Sequence, residues 1–240
     1  KKKKNAIFYK KAGVGKAIVG TVSGTDISFG TEAQFASEPT TYVQSAAFDS
    51  NSNKIVMGYR DPTNGNYGTA VVGTISGTDI SFGTAVVFES DTTANISSSF
   101  DSTNNKVVIT YTDAGNSNYG TAVVGTVSGT GISFGSASAF TSSAVANYMV
   151  NAYDPDQQKT IVVYANSGSS NVGEARVGTV SGTSISFGDA NNFDTPASGN
   201  AASHVGIAYD PSNDKIIIMN SNGGFSLVAG TVSGNTITFG

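Results

Sequence analysis

The sequence predicts an all-β fold, a five-bladed β-propeller of four-stranded antiparallel blades, from three strings that recur along its 240 residues. Gly-Thr-Val/Ile-Ser-Gly begins at Gly20, Gly73, Gly125, Gly178 and Gly230, at spacings of 53, 52, 53 and 52. Ile-Ser/Thr-Phe-Gly follows each time, at Ile27–Gly30, Ile80–Gly83, Ile132–Gly135, Ile185–Gly188 and Ile237–Gly240. An aromatic followed by Asp falls at Phe48-Asp49, Phe100-Asp101, Tyr153-Asp154 and Tyr209-Asp210. Short strands and tight turns at a period of 40–50 residues are the signature of propeller blades. A β-solenoid and an open stack of β modules remain the alternatives.

The second unit shows how each element is read. Tyr42–Phe48 is the first strand, and its small Ser45-Ala46-Ala47 suits the crowded position next to the axis. Asp49–Asn53 is a turn, because Asp and Asn bond the local backbone and tolerate a left-handed conformation. Lys54–Tyr59 is a second strand, rich in β-branched and aromatic residues. A loop spans Arg60–Gly68, and Thr69–Ser76 is the third strand. A tight turn at Ser76–Asp79 leads to a fourth strand beginning Ile80-Ser81-Phe82, kinked at Gly83 and resuming through Ala85–Phe88. Consecutive apolar residues in the second and third strands predict burial on both faces, between neighbouring blades. The chain is read as one repeat domain, with blades at about 5–41 (incomplete), 42–94, 95–146, 147–202 and 203–240. Unit one has no first strand in this reading, which implies either a three-stranded closing blade or a slice of a longer array.

Composition narrows the function classes. Apolar residues make up 38%, enough for a core, whereas charged residues are only 12%, about half the usual share. With no cysteine, disulfide and thiolate chemistry are excluded. The net charge of −4 hides an asymmetry: seven basic residues precede Ala17, and six basic against 17 acidic residues follow. Such a body repels nucleic acid and anionic membrane, so no nucleic-acid partner and no membrane insertion are expected. Lys1–Lys4 reads as a frayed terminus or tag remnant rather than a basic arm.

In a meander the second-to-third loops and the between-unit connections share one face. That face carries the varied segments: Arg60–Gly68, Thr112–Gly120, Ala165–Gly173 and Asn220–Phe225 within units, and Ala36–Thr41, Glu89–Asn95, Thr141–Asn147 and Asp194–Ser203 between them. Diverse loops on a rigid scaffold are the usual place for recognition. Asn64, Asn66 and Tyr67 recur as Asn116, Asn118 and Tyr119. Asn171 and Phe225 extend the candidate ligand-binding set. A tyrosine face and a paired amide donor and acceptor suit sugars, although Asn-Gly sequences also simply make turns. Asp49–Asn53 lacks the sixth-position Gly and the bidentate Glu of a calcium loop. The single histidine, His204, has no partner for a metal site or a triad. Glu32, Glu38, Glu89 and Glu174 occupy unrelated repeat positions rather than forming the carboxyl pair of a glycosidase, and the axis-facing polar residues are Gln44, Asn151 and His204. No catalytic residue, metal or cofactor is assigned, and the chain reads as non-enzymatic.

Ala152–Pro155 and Ala208–Pro211, each followed by a Lys-initiated apolar strand, resemble the inner hairpin of many bacterial propeller repeats. The longer unit, with its Gly-Thr-Val-Ser-Gly and Ile-Ser-Phe-Gly markers, resembles repeats in tail-fibre and adhesin proteins of marine bacteriophages and bacteria. The resemblance implies an extracellular or virion-surface module that binds cell-surface glycan or another surface receptor through several equivalent sites. It supplies no binding residues. The other readings are a structural component of a fibre or virion, with self-association, and a carbohydrate-active enzyme.

Overall fold

A computed structural model describes residues 4–39, 43–194, 205–221 and 224–240. It is all-β, with three single-turn 3-10 helices and no α-helix among these residues. The first unit comprises β1 (Lys4–Lys11), β2 (Val14–Ser23), β3 (Asp26–Phe29) and β4 (Ala33–Pro39). The second comprises β5 (Val43–Asp49), β6 (Lys54–Asp61), β7 (Tyr67–Ser76) and β8 (Asp79–Phe82). β9 (Val86–Asp101) leads into the third, with β10 (Lys106–Asp113), β11 (Tyr119–Ser128) and β12 (Gly131–Phe134). β13 (Ser138–Asp154) leads into the fourth, with β14 (Lys159–Asn166), β15 (Val172–Ser181), β16 (Ser184–Phe187) and β17 (Asn191–Asp194). The fifth comprises β18 (Val205–Asp210), β19 (Lys215–Ser221), β20 (Phe225–Ser233) and β21 (Thr236–Phe239).

Each unit is an antiparallel meander. In the second, Asp49 pairs with Lys54, Ile55 with Gly73 and Gly73 with Phe82. The fourth strand is interrupted at Gly83, whose N–H donates to the Val72 carbonyl at 2.9 Å. The outer edge of β7 is then taken over by the start of β9, with Ala70 opposite Val86. The connections expected at Glu89–Asn95 and Thr141–Asn147 are not loops. They run inside β9 and β13, strands of 16 and 17 residues. A bulge makes this possible: the register slips between Thr110 and Thr112, opposite Asn95 at φ 50°. One strand therefore closes the outer edge of one unit and opens the inner edge of the next.

Packing between units explains the repeated strings. Gly30, Gly83, Gly135 and Gly188 each abut the tight turn of the following unit. A Cβ at these positions would lie 1.9, 1.9, 2.0 and 2.0 Å from the carbonyl oxygens of Thr78, Thr130, Thr183 and Asn235. Five residues later Phe35, Phe88, Phe140 and Phe193 lay their rings on Gly15, Gly68, Gly120 and Gly173 of the same unit. Each ring also meets aromatics of the next unit: Phe88 lies 5.2 Å from Tyr111 and 5.7 Å from Phe134, and Phe140 lies 5.6 Å from Tyr164 and 4.9 Å from Phe187. These tilted contacts are favourable beyond the apolar area they bury. Apolar clusters surround them at every junction, the second and third units sharing Val56, Ala70, Val72, Ile109 and Tyr111.

The inner strands β5, β9, β13 and β18 pack on one another in succession. The Ser98 N–H donates to Ser45 Oγ at 2.8 Å, and the Asn151 N–H to Ser97 Oγ at 3.0 Å. Small side chains let the backbones approach this closely. The outward faces of the first and fifth units leave each other uncovered: Phe29 is 53% exposed, Phe225 84% and Leu227 73%.

Substituting Gly83→Ala is expected to lower stability by about 1–3 kcal/mol, because the methyl group meets backbone rather than a yielding side chain. Gly131→Ala, whose Cβ would find its nearest neighbour, Ser128 O, at 3.7 Å, is expected to change it by less than about 0.5 kcal/mol. Urea denaturation midpoints of the two variants check this.

Candidate functional site

Three of the within-unit loops, those of the second, third and fourth units, are built alike. Each opens with a side chain that caps a 3-10 turn: Asp61 accepts from the Thr63 N–H at 3.1 Å, Asp113 from Asn116 at 3.2 Å and Asn166 from Gly168 at 3.0 Å. Two left-handed residues follow, Gly65-Asn66, Ser117-Asn118 and Ser170-Asn171, and they turn the chain into the third strand. Asn66 and Asn118 also hold the neighbouring connection, accepting at their carbonyls from Thr93 (3.1 Å) and Val145 (2.9 Å). Asn66, Asn118 and Asn171 are therefore equivalent turn-making positions that serve this role through the backbone.

Their side chains and the residues beside them differ in availability. Asn64, Asn116 and Asn118 are exposed, while Asn66, Asn171, Tyr67 and Tyr119 are half-buried. The Tyr67 ring lies against the Gly65 α-carbon, where a Cβ would be 2.7 Å from its Cε1. Neither the Tyr67 nor the Tyr119 hydroxyl has a hydrogen-bond partner among the described residues. Val172 takes the tyrosine position in the fourth unit, and Phe225 falls one residue beyond it in the fifth. Phe225 pairs with Ser221 as Gly68 pairs with Arg60, so it stands where the other units have the glycine seat.

Loops and connections share a face. Gly115 abuts Asp91, and Ser167 Oγ donates to the Ala144 carbonyl at 2.6 Å. Beneath that face lies a polar layer that sequence reasoning missed. The Tyr111 hydroxyl donates to Glu89 across the second junction at 2.9 Å. In the fourth unit the Tyr164 hydroxyl donates to Glu174 at 2.7 Å, Asn166 Nδ2 donates to the same carboxylate at 2.8 Å, and Arg176 Nε donates to the Tyr164 oxygen at 3.0 Å. The recurrence of tyrosine five residues after the strand-initiating lysine, at Tyr59, Tyr111 and Tyr164, was the available signal. Burial, and then the Asp61 charge, pushes the Tyr59 phenol up to about 12. Burial followed by Glu89 raises Tyr111, and burial followed by the Glu174 hydrogen bond raises Tyr164. Burial, then Glu89, also raises the Asp113 carboxyl.

The remaining sequence candidates have local roles. Asp49 accepts from Asn51 and Ser52 N–H groups, both at 3.0 Å, so its carboxylate makes the hairpin turn. Glu32 binds Lys11 at 2.7 Å and the Tyr9 hydroxyl at 2.6 Å, and these bonds, that to Lys11 the larger, hold its carboxyl below the usual range. Asn151 Nδ2 donates to Thr110 Oγ1 on β10 of the preceding unit at 3.1 Å. His204 lies outside the described residues, as do the side chains of Gln44 and Glu38. Among the described residues no group of three or more His, Cys, Asp or Glu could hold a metal ion, and no helix is long and apolar enough to cross a membrane.

No protein-family profile and no curated protein matches the chain. Solved structures similar to it include a point mutant of the Aleuria aurantia lectin in complex with alpha-methyl-L-fucoside, with a TM-score of 0.53 at 13% identity over 100% of this chain and 77% of that one. The nidogen/laminin complex matches with a TM-score of 0.52 at 13% identity over 99% and 85%. The periplasmic gluconolactonase of Pseudomonas aeruginosa matches with a TM-score of 0.51 at 11% identity over 95% and 78%. These are β-propeller proteins, and at such identities the likeness carries the fold alone. The expectation of a non-enzymatic chain is corrected by the last of them. An enzyme stands among the similar folds, so the want of a recognisable carboxyl pair in the sequence is no ground for excluding activity.

Tyr59, Tyr111 and Tyr164 are raised in the folded state, so their contribution is whole below the unfolded phenol value near pH 10. It is lost as pH rises toward their folded values. Absorbance titration is expected to show these phenols ionising only together with unfolding. Tyr111→Phe is expected to cost about 1–3 kcal/mol at neutral pH and to shallow the alkaline loss of stability, as followed by urea midpoints across pH.

Proposed function

We propose that the chain is a surface-recognition module, a five-bladed propeller that binds cell-surface glycan through the loop face. The supporting observation is the pair of equivalent, half-exposed tyrosines, Tyr67 and Tyr119, whose hydroxyls are unbonded among the described residues and which stand beside the exposed amides of Asn64 and Asn116. A ring face takes the C–H side of a sugar, and the amides and hydroxyls take its hydroxyl groups. An aspartate, Asp61 or Asp113, pairs with each tyrosine across its strands and adds carboxylate acceptors that suit sugar hydroxyls. The likeness to a fucoside-binding lectin accords with this reading. Several weak, similar sites would gain avidity on a multivalent surface, which fits an extracellular or virion-surface location such as an adhesin or tail fibre.

Binding to a glycan array is expected. Tyr67→Ala and Tyr119→Ala should each weaken the monovalent affinity of their site roughly fivefold to tenfold, equivalent to about 1–1.4 kcal/mol, while the thermal midpoint stays put. An array without hits would overturn the reading.

A structural role in a fibre or virion is the second reading, favoured by the uncovered apolar faces of the first and fifth units, where Ile27 and Phe29 on one and Met219, Phe225 and Leu227 on the other are exposed. Light scattering separates the two: a concentration-dependent rise in mass supports assembly, and a strict monomer argues against it.

A further inference from the structure

The loop-face corner between the second and third units gathers acids that its counterpart one unit on lacks. Thr93, Asp113 and Tyr119 pair across β9, β10 and β11, so their side chains form one row on one face of the sheet. Tyr111, two residues before Asp113 and on the same face, donates to Glu89 of the preceding connection at 2.9 Å. The Asp91 N–H donates to Glu89 Oε1 at 3.2 Å. The Asp91 carboxylate reaches the third unit's loop, where a Cβ on Gly115 would lie 2.2 Å from Oδ2. Glu89, Asp91 and Asp113 therefore stand together beside Tyr119. In the fourth unit the same row reads Val145, Asn166 and Val172.

Basic residues are placed elsewhere. Residues 42–146 contain three, Lys54, Arg60 and Lys106. Lys54 and Lys106 begin β6 and β10, at the far end from the loops. Arg60 stands across Gly68 from Glu89 in the second unit's sheet. A second sign is independent of charge. Thr93 is fully buried, and its hydroxyl, in the row beside Asp113, has no hydrogen-bond partner among the described residues. Buried hydroxyls are ordinarily paired, so a row left short of a partner points to a group supplied from outside.

Resting on the glycan reading above, we propose that this corner binds the protonated amine of an amino sugar, held by Asp91, Asp113 and Glu89 with the sugar ring against Tyr119. A cation is drawn to three carboxylates and relieves their mutual repulsion, whereas a neutral hydroxyl does neither. That repulsion is felt at Asp113, whose carboxyl is raised by burial, then by Glu89, with Asp91 adding to it. A metal ion needs its oxygens gathered within about 2.0–2.6 Å, and no group of three acids could hold one among the described residues. An ammonium carries three donors on a larger group and accepts partners set further apart. The tyrosine face attracts the cation and covers the C–H side of the ring.

The test is calorimetric titration of the whole chain with the glucosamine hexamer and with its N-acetylated counterpart, which keeps the ring and loses the charge. The glucosamine hexamer is expected to bind about fivefold tighter at low salt, and the preference should shrink as salt is raised. Asp91→Asn should cut the ratio of the two affinities about twofold to threefold. Asp79→Asn, which removes the same charge from an exposed turn on the opposite side of its unit, should leave the ratio as it is. Equal affinity for the two hexamers, or binding of neither when a glycan array still shows hits, would overturn the amine assignment and leave the glycan reading standing. An array without hits would overturn that reading itself. A ratio unmoved by Asp91→Asn would remove the site from this corner, and equally tight binding of hexalysine would show attraction to any amine and overturn the sugar class.

Discussion

The architecture depends on a close approach at each junction, where the glycine that ends Ile-Ser/Thr-Phe-Gly sits against the carbonyl of the next unit's tight turn. No side chain fits there: a Cβ on Gly135 would lie 2.0 Å from Thr183 O. Contact of backbone with backbone sets the spacing of neighbouring units without adjustable side chains between them. The aromatic layer follows from that spacing. Phe140 reaches Tyr164 and Phe187 only because the two sheets are held at this distance. The inner strands then meet on the other side, where Ser45 and Ser97 bridge to the following unit.

Repetition of one junction leaves the polar layer free to vary. The acid that binds the buried hydroxyl comes from the preceding unit at Tyr111, as Glu89, and from the same sheet at Tyr164, as Glu174. At the last junction Asn220 replaces the tyrosine and donates to Asp194. Each solution satisfies a buried polar group whose isolation would be costly, and each uses a different residue. The outer surface varies still more: the glycine and alanine that are buried in the earlier units, as at Gly68 and Ala70, become Phe225 and Leu227.

Most of the fold was legible in the sequence because the junction repeats. The string at Ile27 and its later copies meet the neighbouring unit, and the string at Gly20 and its copies seat the Ile and Phe of their own unit, so their shared period reports the unit directly. The hairpin turns were legible because Asp49 and its equivalents bond their own backbone. The continuity of β9 and β13 was not, since the polar run Glu89–Asn95 reads as a loop and only the bulge at Asn95 keeps it paired. Nor was the Glu174 network, because nothing in a strand's alternation says which acid will face a tyrosine of its own sheet. At the candidate site, the recurrence of Asn66 and Asn118 was visible, but its cause is a left-handed turn. The tyrosines that stay half-exposed cannot be told by type from those that are buried, and position relative to the strand-initiating lysine distinguishes them.

The central claim is that equivalent units are stepped around a common centre and present their loops together. The chain has no cysteine, so spin labels can be placed at will on the exposed ends of the three 3-10 turns, Asn64, Asn116 and Ser169. Pulsed dipolar distances are expected to be nearly equal for Asn64 to Asn116 and for Asn116 to Ser169, with Asn64 to Ser169 clearly shorter than their sum. A distance from Asn64 to Ser169 equal to that sum would mean a linear stack and would contradict the account.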